Sequence, residues 1–173
     1  MTGHPLNATA ASLLGFLHSG PQTGWDLVAT AQRRIGAFWS ITQSQVYREL
    51  TAMAAAQLVE AGERGARDRR PYAITEAGRA AFAGWIAQPP DEELIRFPLL
   101  LTVAIGEHIP PATLAAHVAH HRRVHEERLE RYESAEPVAD PYARATLDFG
   151  VRYERAVVAW FDALPDEIRG IPG

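Results

Sequence analysis

Gln43, Ser44, Gln45, Tyr47 and Arg48 place five hydrogen-bonding side chains in six consecutive positions, directly after Thr42. A second concentration follows, where Arg64, Arg67, Arg69 and Arg70 fall within seven residues, diluted by Asp68. The Gln45 side-chain amide can pair with adenine through two hydrogen bonds, and the Arg48 guanidinium with guanine or phosphate. Hydroxyls such as those of Ser44 and Tyr47 suit the sugar-phosphate backbone. This chemistry is recognition of a polyanion, not bond making. The sequence has no nucleophile elbow, phosphate loop or HExxH pair, so neither an enzyme nor a cofactor is expected.

For such residues to act together, the element carrying them must expose them on one side. Thr42 and Gln45 form an S/T-x-x-E/Q capping box, which predicts a helix starting near Gln43. Val46, Leu50 and Met53 follow at i, i+4 and i+7 and predict one buried stripe. Upstream, Asn7 is a good N-cap for a helix burying Ala10, Leu13, Leu14 and Leu17. "SGPQTG" at 19–24 has loop chemistry, and a second helix is expected over about 24–35, burying Leu27, Val28, Ala31 and Ile35. Leu58 and Val59 start a strand, "AGERGARDRRP" is a charged hairpin loop, and "YAIT" is the returning strand. Thr75 is placed to cap a fourth helix carrying Ala81, Phe82, Trp85 and Ile86. The order is that of a helix-turn-helix followed by an arginine-rich wing.

Composition agrees with this layout. The chain has 173 residues, 47% hydrophobic and 22% charged, enough for one domain or two small ones. There is no cysteine and no apolar run of membrane-spanning length, and no charged leader precedes an apolar core. The expectation is therefore a cytoplasmic protein that does not engage a membrane. All 17 basic residues are arginine. Residues 1–88 hold 8 arginines against 6 carboxylates, whereas residues 89–173 hold 9 against 15. A mildly basic front and an acidic rear point to a polyanionic partner for the front half, double-stranded DNA. "QPPDEE" at 88–93 marks the expected boundary between a DNA-binding domain, 1–88, and a rear domain, 89–173.

In the rear, a long helix is expected from Pro111 to about Ser134 and another over about 141–163. Leu114, Val118, His121, His125, Leu129 and Tyr132 make a near-heptad seam on the first. Leu147, Gly150, Val151, Val157, Val158 and Phe161 are on offer from the second. The seam, with Val151 and Val158, is expected at a homodimer interface. His117, His121 and His125 recur every four residues and are alternatively a metal- or proton-sensing face. Trp25, Trp39, Trp85 and Trp160 are expected mostly in cores. Trp85, Phe97 and Trp160 are the candidates if a small aromatic ligand binds. The fold class expected is mainly α with a small β-hairpin, a winged helix-turn-helix plus a long-helix dimerisation domain. A protein-interaction module built on a winged helix that no longer binds DNA is the alternative from another class.

"GWDL" at 24–27, "FWSITQSQVYREL" at 38–50, "QLVEAG" at 57–62 and "RRPYAITEAGRAAFAGWI" at 69–86 together resemble the PadR family of winged-helix regulators. "FPLLLTVAIG" at 97–106 and "YERAVVAWFDAL" at 153–164 extend the resemblance to its longer, two-domain subfamily. The resemblance implies a homodimeric transcriptional repressor on an inverted repeat, released in some relatives by a phenolic or drug-like effector. It also implies that Tyr47 and the turn from Thr42 to Gln45 face DNA. The sequence departs from the family's usual pattern in having Gln43-Ser44 where Pro-Gly is common, and Thr51 where a cation is common.

Overall fold

The computed structural model describes residues 6–36, 38–63, 65, 70–92, 95–136 and 139–170. It divides into two compact units, 1–91 and 92–173.

The front unit contains helices α1 (Ala8–Leu17), α2 (Gly24–Arg34), α3 (Gln43–Ala55) and α4 (Glu76–Ile86). Its strands are β1 (Gln22–Thr23), β2 (Val59–Ala61) and β3 (Pro71–Ile74). Each helix starts where a side-chain oxygen satisfies a backbone N–H that has no partner within the helix. Asn7 accepts from Ala10 N–H, Thr23 from Asp26 N–H, Thr42 from Gln45 N–H and Thr75 from Gly78 N–H. The apolar stripes then meet in one core of Leu13, Leu14, Leu17, Leu27, Val46, Leu50 and Met53, all essentially inaccessible to water.

The sheet has three antiparallel strands in the order β1-β3-β2, with Gln22 opposite Tyr72 and Val59 opposite Ile74. The expected hairpin is β2–β3. β1 is an addition in a segment expected to be pure loop, and its two residues count as strand only because β3 supplies a ladder.

α3 stops by a Schellman closure, in which Leu58 N–H donates to Met53 O (2.9 Å) and Gln57 N–H to Ala54 O (3.1 Å). Gln57 occupies the left-handed position usually given to glycine, with φ 58°. Thr75 Oγ1 then donates to Gln57 O at 2.8 Å, tying the end of α3 to the start of α4.

The rear unit comprises α5 (Pro98–Ala104), a 3-10 turn (Gly106–His108), α6 (Pro111–Glu133), α7 (Pro141–Asp162) and α8 (Asp166–Arg169). α6 and α7 form an antiparallel hairpin. Arg122 reaches Asp162, His125 reaches Glu154, and the Tyr132 ring lies over Gly150, where an added Cβ would be 3.2 Å away. Leu99, Leu114, Val118, Val157, Phe161 and Leu164 form its core. Among the described residues, no helix is long and apolar enough to cross a membrane.

Three residues expected at a dimer interface are instead consumed within the subunit. Leu114, Val118 and His125 are buried in the rear core, because α7 and α8 fill the seam that a twin was expected to fill. His121, Leu129, Tyr132, Val151 and Val158 are half-buried. A heptad-like stripe specifies that a helix must cover it, not which one.

The histidine face is also dispersed. His125 Nδ1 lies 2.5 Å from Glu154 Oε2, inside the subunit, while His117 is exposed. Among the described residues, no three His, Asp or Glu side chains stand together as a metal site would require.

Candidate nucleic-acid interface

α3 shows one buried and one open side. Val46, Leu50 and Met53 face the core, joined by Glu49. The open side carries Gln43, Tyr47, Thr51 and Ala55 at steps of four, with Ser44, Arg48 and Ala52 beside them. The N-terminal half therefore bears hydrogen-bonding groups. The C-terminal half bears only small ones, which allow close approach to a duplex groove.

The tip is internally organised. Thr42 N–H donates to Gln45 Oε1 at 2.8 Å, and Thr42 Oγ1 donates to the same oxygen at 3.0 Å. In return Gln45 N–H donates to Thr42 Oγ1 at 3.2 Å. The carbonyl of Gln45 is thus engaged in capping, which leaves its NH2 as the outward group. A two-pronged amide contact needs both O and N, and Gln43 has no side-chain partner among the described residues. The geometry runs against Gln45, the amide singled out from the sequence, and leaves Gln43 with both amide atoms outside the described hydrogen bonds.

Tyr47 is positioned by an absence. A Cβ on Gly24 would sit 2.6 Å from Tyr47 Cε1, so the tyrosine ring lies directly on the first turn of α2. Arg48 is held by its neighbour, with its Nη2 donating to Glu49 Oε1 at 3.0 Å. Glu49 is 8% exposed and also accepts from Asn7 Nδ2 at 3.1 Å through its other oxygen. One carboxylate therefore steadies Arg48 and fastens α3 to the cap of α1. Sequence reasoning missed Glu49. Its signal was its place on the Val46–Leu50–Met53 stripe, where a carboxylate must find partners.

In the wing, Arg64, Arg67 and Arg69 lie outside the described residues. Arg70 is exposed, but its guanidinium folds back, with Nε donating to Gly62 O at 3.0 Å and Nη2 to Ala61 O at 3.4 Å. It braces the base of the loop.

The tryptophans divide. Trp25 is 56% and Trp39 44% exposed, contrary to the expectation that they fill cores. Trp160 is half-buried on the rear core, 6.0 Å from Phe97 between ring centroids. Trp85 is half-buried in the front unit. Two of the three ligand candidates are therefore neighbours within the rear unit.

Comparison with known proteins matches each unit to a family. Residues 13–84 match the Transcriptional regulator PadR-like family, and residues 95–169 match Virulence activator alpha C-term. PadR-like sequence is thus carried by the front unit.

Among its relatives is a probable transcriptional regulator of Mycobacterium tuberculosis, Rv1176c, 40% identical over 70 residues. That match covers 39% of this chain and 37% of the relative. The negative transcriptional regulator PadR of Bacillus subtilis is 26% identical over 94 residues, 52% of each protein. The matched segments thus span about half, or less, of these curated relatives. The crystal structure of Bacillus subtilis PadR in complex with operator DNA has a TM-score of 0.75 at 18% identity, covering 96% of this chain and 100% of that one. The Vibrio cholerae virulence activator AphA has a TM-score of 0.64 at 25% identity, covering 94% and 96%. The chain thus has the winged-helix fold expected, and its front unit matches a family of transcriptional regulators.

Proposed function

We propose that this chain is a homodimeric transcriptional repressor that lays α3 in the major groove of an inverted-repeat operator. The observation carrying this is the open side of α3, a capped tip of Gln43, Ser44, Tyr47 and Arg48 followed by small residues. Gln43 reads a base edge, Arg48 a guanine or a phosphate, and Ser44 and Tyr47 the backbone. Arg64, Arg67 and Arg69 supply phosphate contacts from the wing. The likeness in fold to Bacillus subtilis PadR, which was solved with operator DNA, supports the same use here.

Dimerisation would space two α3 helices about 34 Å apart, one helical turn of DNA. The α6 seam is filled within the subunit, so the interface assigned here is the outer stripe of α7. Tyr142, Phe149 and Tyr153 lie at i, i+7 and i+11 on that helix, exposed by 82%, 58% and 41%. Phe149 and Tyr153 stack at 6.2 Å. Phe149→Asp is expected to yield monomers by light scattering.

A second reading adds a small aromatic effector beside Phe97 and Trp160, favoured by their adjacency and by a solved complex of Bacillus subtilis PadR with p-coumaric acid. Titration of hydroxycinnamates against Trp160 fluorescence tests it.

The deciding experiment is binding to DNA upstream of the protein's own gene across a salt series. Neutralising ~4–6 phosphates gives a log–log slope of about −4 to −5. Gln43→Ala should cost about 1–3 kcal/mol at one base position only, whereas Arg69→Ala should weaken all sequences alike. Affinity no better than for random DNA at every salt concentration favours the protein-interaction reading.

A further inference from the structure

Large apolar side chains left in water are unevenly placed. Among the described residues of the front unit, the exposed ones are Trp25, Phe38, Trp39, Tyr47 and Ile86. Four of these five are aromatic and fall between residues 25 and 47, on α2, the turn after it and the first two turns of α3. Phe38 is 50% exposed and Trp39 44%. Both backbone N–H groups donate to Ile35 O, at 3.1 and 2.7 Å, so the turn is a fixed platform. Ile41, buried two residues beyond Trp39, anchors the platform directly ahead of the Thr42 cap. Tyr47 continues the aromatic series on α3 itself, against Gly24.

Exposed aromatics concentrated on one segment mark an interaction surface. The same segment carries a few cations. The arginines of residues 23–50 are Arg33, Arg34 and Arg48, of which Arg48 is paired to Glu49 and Arg33 donates to Thr30 Oγ1 at 3.4 Å. The surface thus offers apolar contact beside the ionic contact available from Arg48. The apolar features a DNA duplex offers next to a recognition helix are thymine methyl groups and deoxyribose faces.

Resting on the DNA-binding reading above, we infer that Phe38 and Trp39, flanking the tip of α3, are specificity residues that pack against thymine methyls and sugars. They make part of operator recognition non-ionic. The occupant is duplex DNA because the aromatic run is continuous along the chain with the hydrogen-bonding tip of α3.

The test compares the upstream fragment amplified with dTTP or with dUTP, which removes every 5-methyl group and keeps the pairing. Wild-type protein should bind the uracil fragment about tenfold more weakly. Trp39→Ala and Phe38→Ala should each lose about tenfold on the thymine fragment, with the salt slope unchanged, and should discriminate less between the two fragments. Trp39→Phe should retain most of the affinity. Equal wild-type affinity for both fragments overturns the inference while leaving the DNA reading intact. So does a salt slope that falls in the alanine variants, or a loss of binding traced by light scattering to loss of the dimer. Failure of wild-type protein to prefer the upstream fragment over random DNA overturns both. The wild-type comparison requires no variant to fold.

Discussion

α3 and α6 each carry a polar residue on an otherwise apolar stripe, and they settle it differently. On α3, Glu49 is partnered by Asn7 and Arg48, and Arg48 remains largely in water. On α6, His125 is matched by a carboxylate that is itself buried, and both side chains are walled in beside Phe97 and Phe161. Arg128 Nη1 stands 3.9 Å from the other Glu154 oxygen. The front arrangement ties a helix to its neighbour while leaving a working surface outside. The rear arrangement locks two long helices together from within. A polar group at a helix interface can thus serve presentation or locking, depending on whether its partners lie at the rim or inside.

The contrast is broken most severely at Glu154. Glu154→Ala leaves a buried imidazole without its partner and is expected to cost about 3–5 kcal/mol in urea unfolding. Hydrogen exchange should accelerate along α6 and α7. The double change His125→Leu with Glu154→Leu should recover most of that loss, because a buried pair exchanged for apolar residues is commonly neutral. In the front unit, a Cβ at Gly78 would meet Leu58 O at 2.1 Å and Ile74 Cγ1 at 2.9 Å. Gly78→Ala should therefore cost about 2–3 kcal/mol, read as accelerated exchange of α4 and β2. Asn7→Ala removes both the cap of α1 and the donor to Glu49, and should cost about 1–2 kcal/mol. Gln57→Gly relieves the left-handed position at the end of α3. It should gain about 1 kcal/mol, a melting temperature higher by about 2–4 °C.

The smallest effect is one of pH. Partial burial, then the neighbouring His120, His125 and His117 and Arg128, holds His121 below the ordinary 6.5. The unfolded chain therefore takes up that proton first as pH falls. Stability linked to His121 is complete above 6.5 and declines below it, and His121→Gln should flatten this decline.

Legibility followed the range of the signal. Asn7, Thr42 and Thr75 mark helix starts through bonds reaching three residues, and they stand where local chemistry places them. Prolines 111 and 141 likewise mark the starts of α6 and α7. β1 was invisible because two residues become a strand only through β3, some fifty positions away. The partner of the α6 seam was equally hidden, since α7, α8 and a second subunit offer the same kind of apolar cover. At the site, the residue types of the α3 tip were readable. The choice of Gln45 as the adenine-pairing amide runs against the geometry, because both Gln43 and Gln45 are glutamines and only the structure shows that the Gln45 carbonyl is occupied. The exposure of Trp25 and Trp39 ran against the usual burial of tryptophan, and it lies on the segment to which a binding role is assigned.

Gly24 gives the tip of α3 a dependence on a residue that is not itself part of it. The direction of Tyr47 follows from one missing methyl group on another helix. On the DNA-binding reading proposed above, a change at position 24 would re-aim the tyrosine while every residue of the α3 tip kept its identity, so divergent members of such a lineage could shift target preference with an unaltered contact set.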